Sequence, residues 1–193
     1  MKTRPYTSPL RERAAERTRE RILDAAFDRV SREYYDDVTL DQVAADAGVT
    51  VQTVLRRFGS KEGLIRAIIE ARTPAVTAQR DAAPVGDVAG AVANLFDHYE
   101  EIGDLVMLLL RQEERVAPFG EVTAYGRAYH EQWVDRVFAP WLSRRTGDDR
   151  RVLHDQLVAL CDTYVWYLLR RQQRLSRADA QRAVAEMVTR LLS

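Results

Sequence analysis

Residues 39–58, TLDQVAADAGVTVQTVLRRF, restrict the fold more than any other stretch of the chain. Two helical periods of about two turns each meet at Gly48. Isolated helices shorter than ~12–15 residues are marginal in water, so these two must pack on each other and on a third. Their start signals are local. Thr39 followed by Gln42 fits a capping box, in which the Thr hydroxyl bonds the Gln42 amide and the Gln side chain reaches back. Gly48 suits a helix end that needs a left-handed residue. Thr50 can cap the next helix, residues 51–58, which Gly59 ends. Ser60 can cap a fourth helix carrying Leu64, Ile65, Ile68 and Ile69. Ala44 and Ala47 allow close approach, and Val43, Val49, Val54 and Phe58 fill the junction. The pattern is a helix-turn-helix.

At about 100° per residue, Val51, Val54, Leu55 and Phe58 share one arc of the second helix, which predicts that all four face inward. Gln52, Thr53, Arg56 and Arg57 occupy the outward arc, and none is acidic. Gln can grip adenine and Arg can grip guanine through paired hydrogen bonds in the major groove, and Thr can touch phosphate or a thymine methyl. A face without carboxylates suits a polyanion. A solvated face of an ordinary helical bundle is the other reading of the same arc.

Around this segment the chain reads as helix throughout. No alternating Val/Ile/Thr-rich run or Asn-Gly hairpin turn is present. With 193 residues, 46% of them apolar, the chain can bury a core without staples. A single cysteine excludes an intrachain disulfide framework. No apolar run approaches the ~18 residues of a membrane span, and no signal peptide is evident, so a cytoplasmic, membrane-free protein is expected. The 29 basic and 29 acidic residues cancel. The N-terminal arm is nevertheless basic, with Lys2, Arg4, Arg11, Arg13, Arg17, Arg19 and Arg21 against Glu12, Glu16 and Glu20. It could track a nucleic-acid backbone or be a frayed terminus. Helix 1 is expected over residues 11–33, with Ile22, Leu23, Ala26, Phe27 and Val30 inward. Pro74 and Pro84 are expected to disturb any helix across residues 73–87, which puts a domain boundary near residue 73: residues 1–72 with a linking helix at 61–72, and residues 73–193.

The stretch 21–64 resembles the N-terminal DNA-binding domain of the TetR family of transcriptional regulators. The matching residues are Ile22, Leu23, Ala25, Ala26, Val38-Thr39, Val43-Ala44, Ala47-Gly48-Val49-Thr50, Thr53, Phe58 and Ser60-Lys61-Glu62-Gly63-Leu64. The resemblance implies an all-α protein of about nine helices: an N-terminal helix-turn-helix domain and a C-terminal ligand-binding and dimerisation domain. It implies a homodimeric repressor that sits on an inverted-repeat operator in double-stranded DNA and is released by a small molecule, with no cofactor and no enzymatic activity. Backbone-positioning roles then fall on Thr39, Thr50 and Lys61, beside Gln52, Thr53, Arg56 and Arg57. Two positions depart from the family pattern. Leu55 stands where members usually carry Tyr, and so cannot donate to a phosphate. Tyr34 stands where Gly is common, and should avoid the left-handed conformation.

Beyond residue 87 the expected helices are one through Val88, Val92, Leu95, Phe96, Tyr99 and Ile102, a second at 105–115 broken by Pro118 and Gly120, and a long one at 121–143 that Pro140 ends or kinks. Two terminal helices follow, at 150–171 and from Ser176 onward. Phe96, His98, Tyr99, Met107, Tyr125, Tyr129, Trp133 and Trp166 form a candidate pocket for a largely apolar ligand with a polar handle. Core packing is the competing reading for each. The terminal helices carry surplus apolar surface, which marks Leu153, Leu157, Leu160, Tyr164, Val184, Val188 and Leu191 as the dimer interface. His98, His130 and His154 form no metal-ligand spacing, and no Gly-rich phosphate loop or nucleophile motif occurs. Cys161 sits among apolar neighbours, as an inert buried thiol would. The alternative function is an all-helical ligand-binding or protein-interaction module that no longer binds DNA.

Overall fold

The structure, a computed structural model, describes residues 9–193, with side chains from residue 11 onward. Lys2 and Arg4 of the basic arm lie outside the described residues. Among the described residues the chain forms helices and turns only, in two compact units that meet between Ala71 and Arg72.

The first unit contains α1 (Pro9–Val30), a 3₁₀ turn (Tyr35–Asp37), α2 (Leu40–Asp46), α3 (Val51–Phe58) and the start of α4 (Lys61–Asp81). Its core takes Ile22, Leu23, Ala26 and Val30 from α1, Val43 and Ala44 from α2, Val54 from α3, and Leu64, Ile65 and Ile68 from α4. α1 stops three residues earlier than expected, and Tyr34 is extended at φ −65°. Arg11 to Arg21 of the basic arm lie within α1, so that stretch is helical and not frayed.

The second unit holds the end of α4, α5 (Val88–Leu110), α6 (Ala117–Val137), α7 (Ala139–Leu142), α8 (Gly147–Leu160), α9 (Thr163–Tyr167) with a π-helical turn (Leu168–Gln172), and α10 (Arg177–Leu192). Its core joins Val92, Leu95, Phe96 and Tyr99 of α5 to Trp133, Val134 and Val137 of α6, Leu157 of α8, Trp166 of α9, and Val184 and Val188 of α10.

Three expected breaks do not occur, and one that was not expected does. α4 runs straight through Pro74. A proline inside a helix removes one N–H donor, and here the Thr77 hydroxyl donates to the carbonyls of Thr73 and Pro74 at 3.1 Å each. α5 is one helix, not two. It passes through Gly103, where a Cβ would come within 2.5 Å of the Trp166 ring, so the glycine makes room for packing and does not end the helix. Pro118 begins α6 instead of breaking it, because the first turn of a helix needs no proline N–H. The expected helix at 150–171 is divided at Cys161–Asp162, where the Asp162 carboxylate accepts from the Tyr164 amide at 2.8 Å and opens α9. Pro140 does end the long sixth helix, three residues after Val137. The π-helical turn then delivers Arg170 to Glu100 and Arg171 to Asp104, fastening the turn to α5.

Candidate nucleic-acid interface

Each end of the helix-turn-helix is fastened by a side chain. At α2 the Thr39 hydroxyl accepts from the Gln42 amide at 3.3 Å, and the Gln42 carbonyl oxygen accepts from the Thr39 amide at 2.8 Å, which completes the capping box. The turn passes through Gly48 at φ +62°, a conformation an L side chain reaches only at a cost. At α3 the Thr50 hydroxyl accepts from the Thr53 amide at 3.3 Å and shares a 3.0 Å hydrogen bond with the Thr53 hydroxyl. Ser60 accepts from the Gly63 amide at 3.0 Å and opens α4. Arg29 reaches from α1 to Asp46 at 2.6 Å and ties the end of α2 back to the first helix.

These fastenings fix what α3 presents. Gln52, Arg56 and Arg57 are exposed, Thr53 is half-buried, and the first turn of α3 carries no acid. Val54 is buried, and Val51 and Phe58 are half-buried, all as expected for the inward arc. Leu55 is not: it is 40% exposed, beside Arg56. α3 has only two turns, and its centre faces the core at Val54, so a residue at the edge of the arc stays outside. Thr39 and Thr50 are both exposed at the amino ends of their helices, where unpaired N–H groups favour anions.

Lys61 has another engagement. Its ammonium donates to the Tyr35 carbonyl and lies 3.9 Å from the centre of the Tyr35 ring. It holds the 3₁₀ turn between α1 and α2, a role that its place in the motif did not reveal.

Residues 22–68 match the family model described as bacterial regulatory proteins, tetR family. The helix-turn-helix segment is thus similar to the DNA-binding part of that family, and the match spans about a quarter of the chain. A 58-residue stretch is 41% identical to the HTH-type transcriptional regulator SrpR of Pseudomonas putida, covering 30% of this chain and 27% of that protein. The chain therefore aligns with little more than a quarter of that relative's length. Two solved structures share the fold across nearly the whole chain. A transcriptional regulator from Rhodococcus sp. Rha1 has a TM-score of 0.70 at 15% identity, covering 90% of this chain and 95% of that one. NalD, the secondary repressor of the MexAB-OprM multidrug efflux pump in Pseudomonas aeruginosa, has a TM-score of 0.65 at 18% identity, covering 91% and 96%.

The aromatic residues picked out for a ligand separate into three groups. His98, Tyr99 and Trp133 gather around the guanidinium of Arg80. Phe96, Met107 and Trp166 are buried packing, with Trp166 donating to Glu100 at 3.0 Å. Tyr125 and Tyr129 stack near the surface at 6.1 Å, and the Tyr129 hydroxyl donates to Asp81 at 2.6 Å. Burial and the Asp81 charge push the Tyr129 phenol up to about 12. Burial likewise pushes the Cys161 thiol up to about 12, which keeps it a thiol at neutral pH. Arg80 is not legible in the sequence because it lies in the stretch whose helix Pro74 and Pro84 are expected to disturb, and no local pattern marks an arginine that tertiary packing will bury.

The residues expected at the dimer interface also divide. Leu153, Leu157, Val184 and Val188 lie in the core of the second unit, packed against the chain's own helices. Their periodicity was real, but it served the chain's own packing. Leu160 and Leu191 are half-buried, and Tyr164 is 57% exposed. The apolar side chains left outside on the terminal helices are Val152, Leu168 and Met187, which a stripe argument built on leucines passes over. No helix among the described residues is long and apolar enough to cross a membrane.

Proposed function

We propose that this chain is a sequence-specific DNA-binding transcriptional regulator that reads the major groove with α3. The observation that carries the reading is the outward side of that helix. Gln52, Arg56 and Arg57 stand exposed with no acid among them, on a two-turn helix held at both ends by caps. Arg56 and Gln52 have the donors and reach to hydrogen-bond base edges, and Arg57 with the helix-opening Thr39 and Thr50 suits the phosphate backbone. Lys61 contributes by holding the turn before α2 in place.

The regulator works as a homodimer on an inverted repeat, since two copies related by a two-fold axis present two reading helices to successive grooves. The apolar residues left exposed on α8, α9 and α10, namely Val152, Tyr164 and Met187, support self-association through the terminal helices. Repression relieved by a small molecule is the mode we assign, in line with the repressor NalD of the same fold. The ligand must then bind one DNA affinity state better than the other, and DNA must weaken the ligand by the same factor.

Arg56→Ala and Arg57→Ala test the assignment together in a fluorescence anisotropy titration against the duplex upstream of the coding region. Arg56→Ala is expected to cost about 1–3 kcal/mol and to relax preference at one base pair, whereas Arg57→Ala should weaken all sequences alike and lower the salt slope by about 1. Binding with unchanged affinity and preference in both variants would remove α3 from the interface.

A further inference from the structure

Arg80, in the last turn of α4, is only 3% exposed. Its guanidinium carbon lies 4.2 Å from the centre of the Trp133 ring and 5.8 Å from that of Tyr99. Its Nη2 lies 3.2 Å from Nδ1 of His130, and Nε2 of His130 lies 3.1 Å from the Val158 carbonyl. The carbonyl can only accept, so Nε2 carries the imidazole proton and Nδ1 accepts from Arg80. That leaves His130 neutral, the form that burial and the Arg80 charge also favour. Nη1 of Arg80 is buried and has no hydrogen-bond partner.

Among the described residues no carboxylate pairs with this cation. Asp81, the next residue, is bonded by Tyr129 and Arg136. Asp162 is near enough to act on Tyr99, His130 and Cys161, but its oxygen caps α9. The remaining neighbours, His98, Tyr99 and Trp133, are uncharged: burial and Arg80 drive His98 down to about 3, and burial drives Tyr99 upward. A guanidinium removed from water without a counter-ion is among the costliest groups a fold can hold. The guanidinium contacts two aromatic rings and one imidazole nitrogen, of Trp133, Tyr99 and His130, and none of these carries a negative charge.

We propose that Arg80 anchors a buried receptor for a small aromatic carboxylate, which the free Nη1 binds by charge and the rings of Trp133, His130 and Tyr99 enclose. This rests on the ligand-responsive part of the proposed function and makes it definite: the ligand is an anion, not merely an apolar molecule with a polar handle. The planar fork of an arginine suits a carboxylate. The His130 and Trp133 rings, 6.0 Å apart with 13° between their planes, set near-parallel faces beside the guanidinium. With both histidines neutral, Arg80 is the charge the carboxylate meets.

The test uses the full chain without DNA, with calorimetric titration and thermal unfolding in salicylate, in its neutral analogue salicylamide, and in inorganic phosphate. Salicylate is expected to bind one per chain and raise Tm, with salicylamide at least tenfold weaker and phosphate without effect. In Arg80→Met the salicylate response should vanish while the ligand-free Tm stays at or above that of the wild type. Arg80→Lys should keep a response at least tenfold weaker. The proposal is overturned if salicylate fails to bind the wild type, if salicylamide or phosphate matches it, if Arg80→Met still responds, or if ligand-free Arg80→Met is markedly less stable, which would make Arg80 part of the scaffold. Duplex binding by the wild type is measured separately. Salicylate binding without duplex binding defeats the regulator reading alone, and duplex binding without salicylate binding defeats this proposal alone.

Discussion

Replacing Thr39 with alanine strips one hydroxyl from the entry of α2 and leaves the Gln42 amide without its acceptor. The expected loss is about 0.5–2 kcal/mol, read as a fall in the denaturant midpoint with an unchanged slope. The same loss is expected for Thr50→Ala at α3, whereas exposed Arg56→Ala should leave stability unaltered. His98 and His130 make stability depend on pH in a definite direction. Burial, then the Arg80 charge, lower both below the usual value of 6.5, with His98 near 3. Below about pH 6.5 the unfolded chain takes up protons that the folded chain refuses, so stability falls as pH falls. Between pH 7 and pH 5 His98 alone should cost about 2 kcal/mol. The carboxylates with lowered values, Glu100, Glu113 and Asp179, lose their contribution only below about 4.5, in a separate range. A His98→Gln variant should flatten the upper part of a Tm-against-pH curve, and an unchanged curve would show that His98 titrates freely in the fold. Thr39, Thr50 and Ser60 could be read from sequence because a cap bonds an amide two or three residues away. Arg80 and Lys61 could not, because their partners lie on other elements and only packing brings them together.

Among the elements, the turn at Gly48 is the most exacting. Gly48→Ala must place a Cβ in the left-handed region and should cost about 1–2 kcal/mol, with Gly48→Asn costing less. DNA affinity should fall with it if α2 and α3 tilt apart. Pro74 predicts the opposite sign. It sits inside α4, so Pro74→Ala restores a backbone donor and should raise stability, by up to about 3 kcal/mol. A loss of stability there would mean that Pro74 sets a bend the fold requires. The boundaries show why helices are easier to read than their ends. Apolar periodicity marks the long helices of the second unit, but it divides α5 between Ile102 and Leu105 and reads Pro118 as a break. A glycine under a tryptophan and a proline in a first turn have the same letters as helix breakers. The division at Asp162 was missed for the converse reason: apolar residues continue on both sides of it, and the new cap is one short side chain.

The molecule carries an exposed cationic helix, α3, in one unit and a buried cation without a carboxylate partner, Arg80, in the other. Two-fold association through the terminal helices should make duplex affinity depend on protein concentration in the dimer–monomer range. It should also make log K fall linearly with log salt, in proportion to the phosphates neutralised. Met187→Glu, on the exposed side of α10, should shift sedimentation toward monomer without unfolding the chain. The most direct test of the central claim is a selection of duplexes from a random library by the wild-type chain, sequenced and repeated with Arg56→Ala. The expected product is an inverted repeat, its half-sites one helical turn or a multiple apart, with one base position in each half losing its preference in the variant. Recovery of no sequence over background, or of the same motif with undiminished preference from Arg56→Ala, would contradict it.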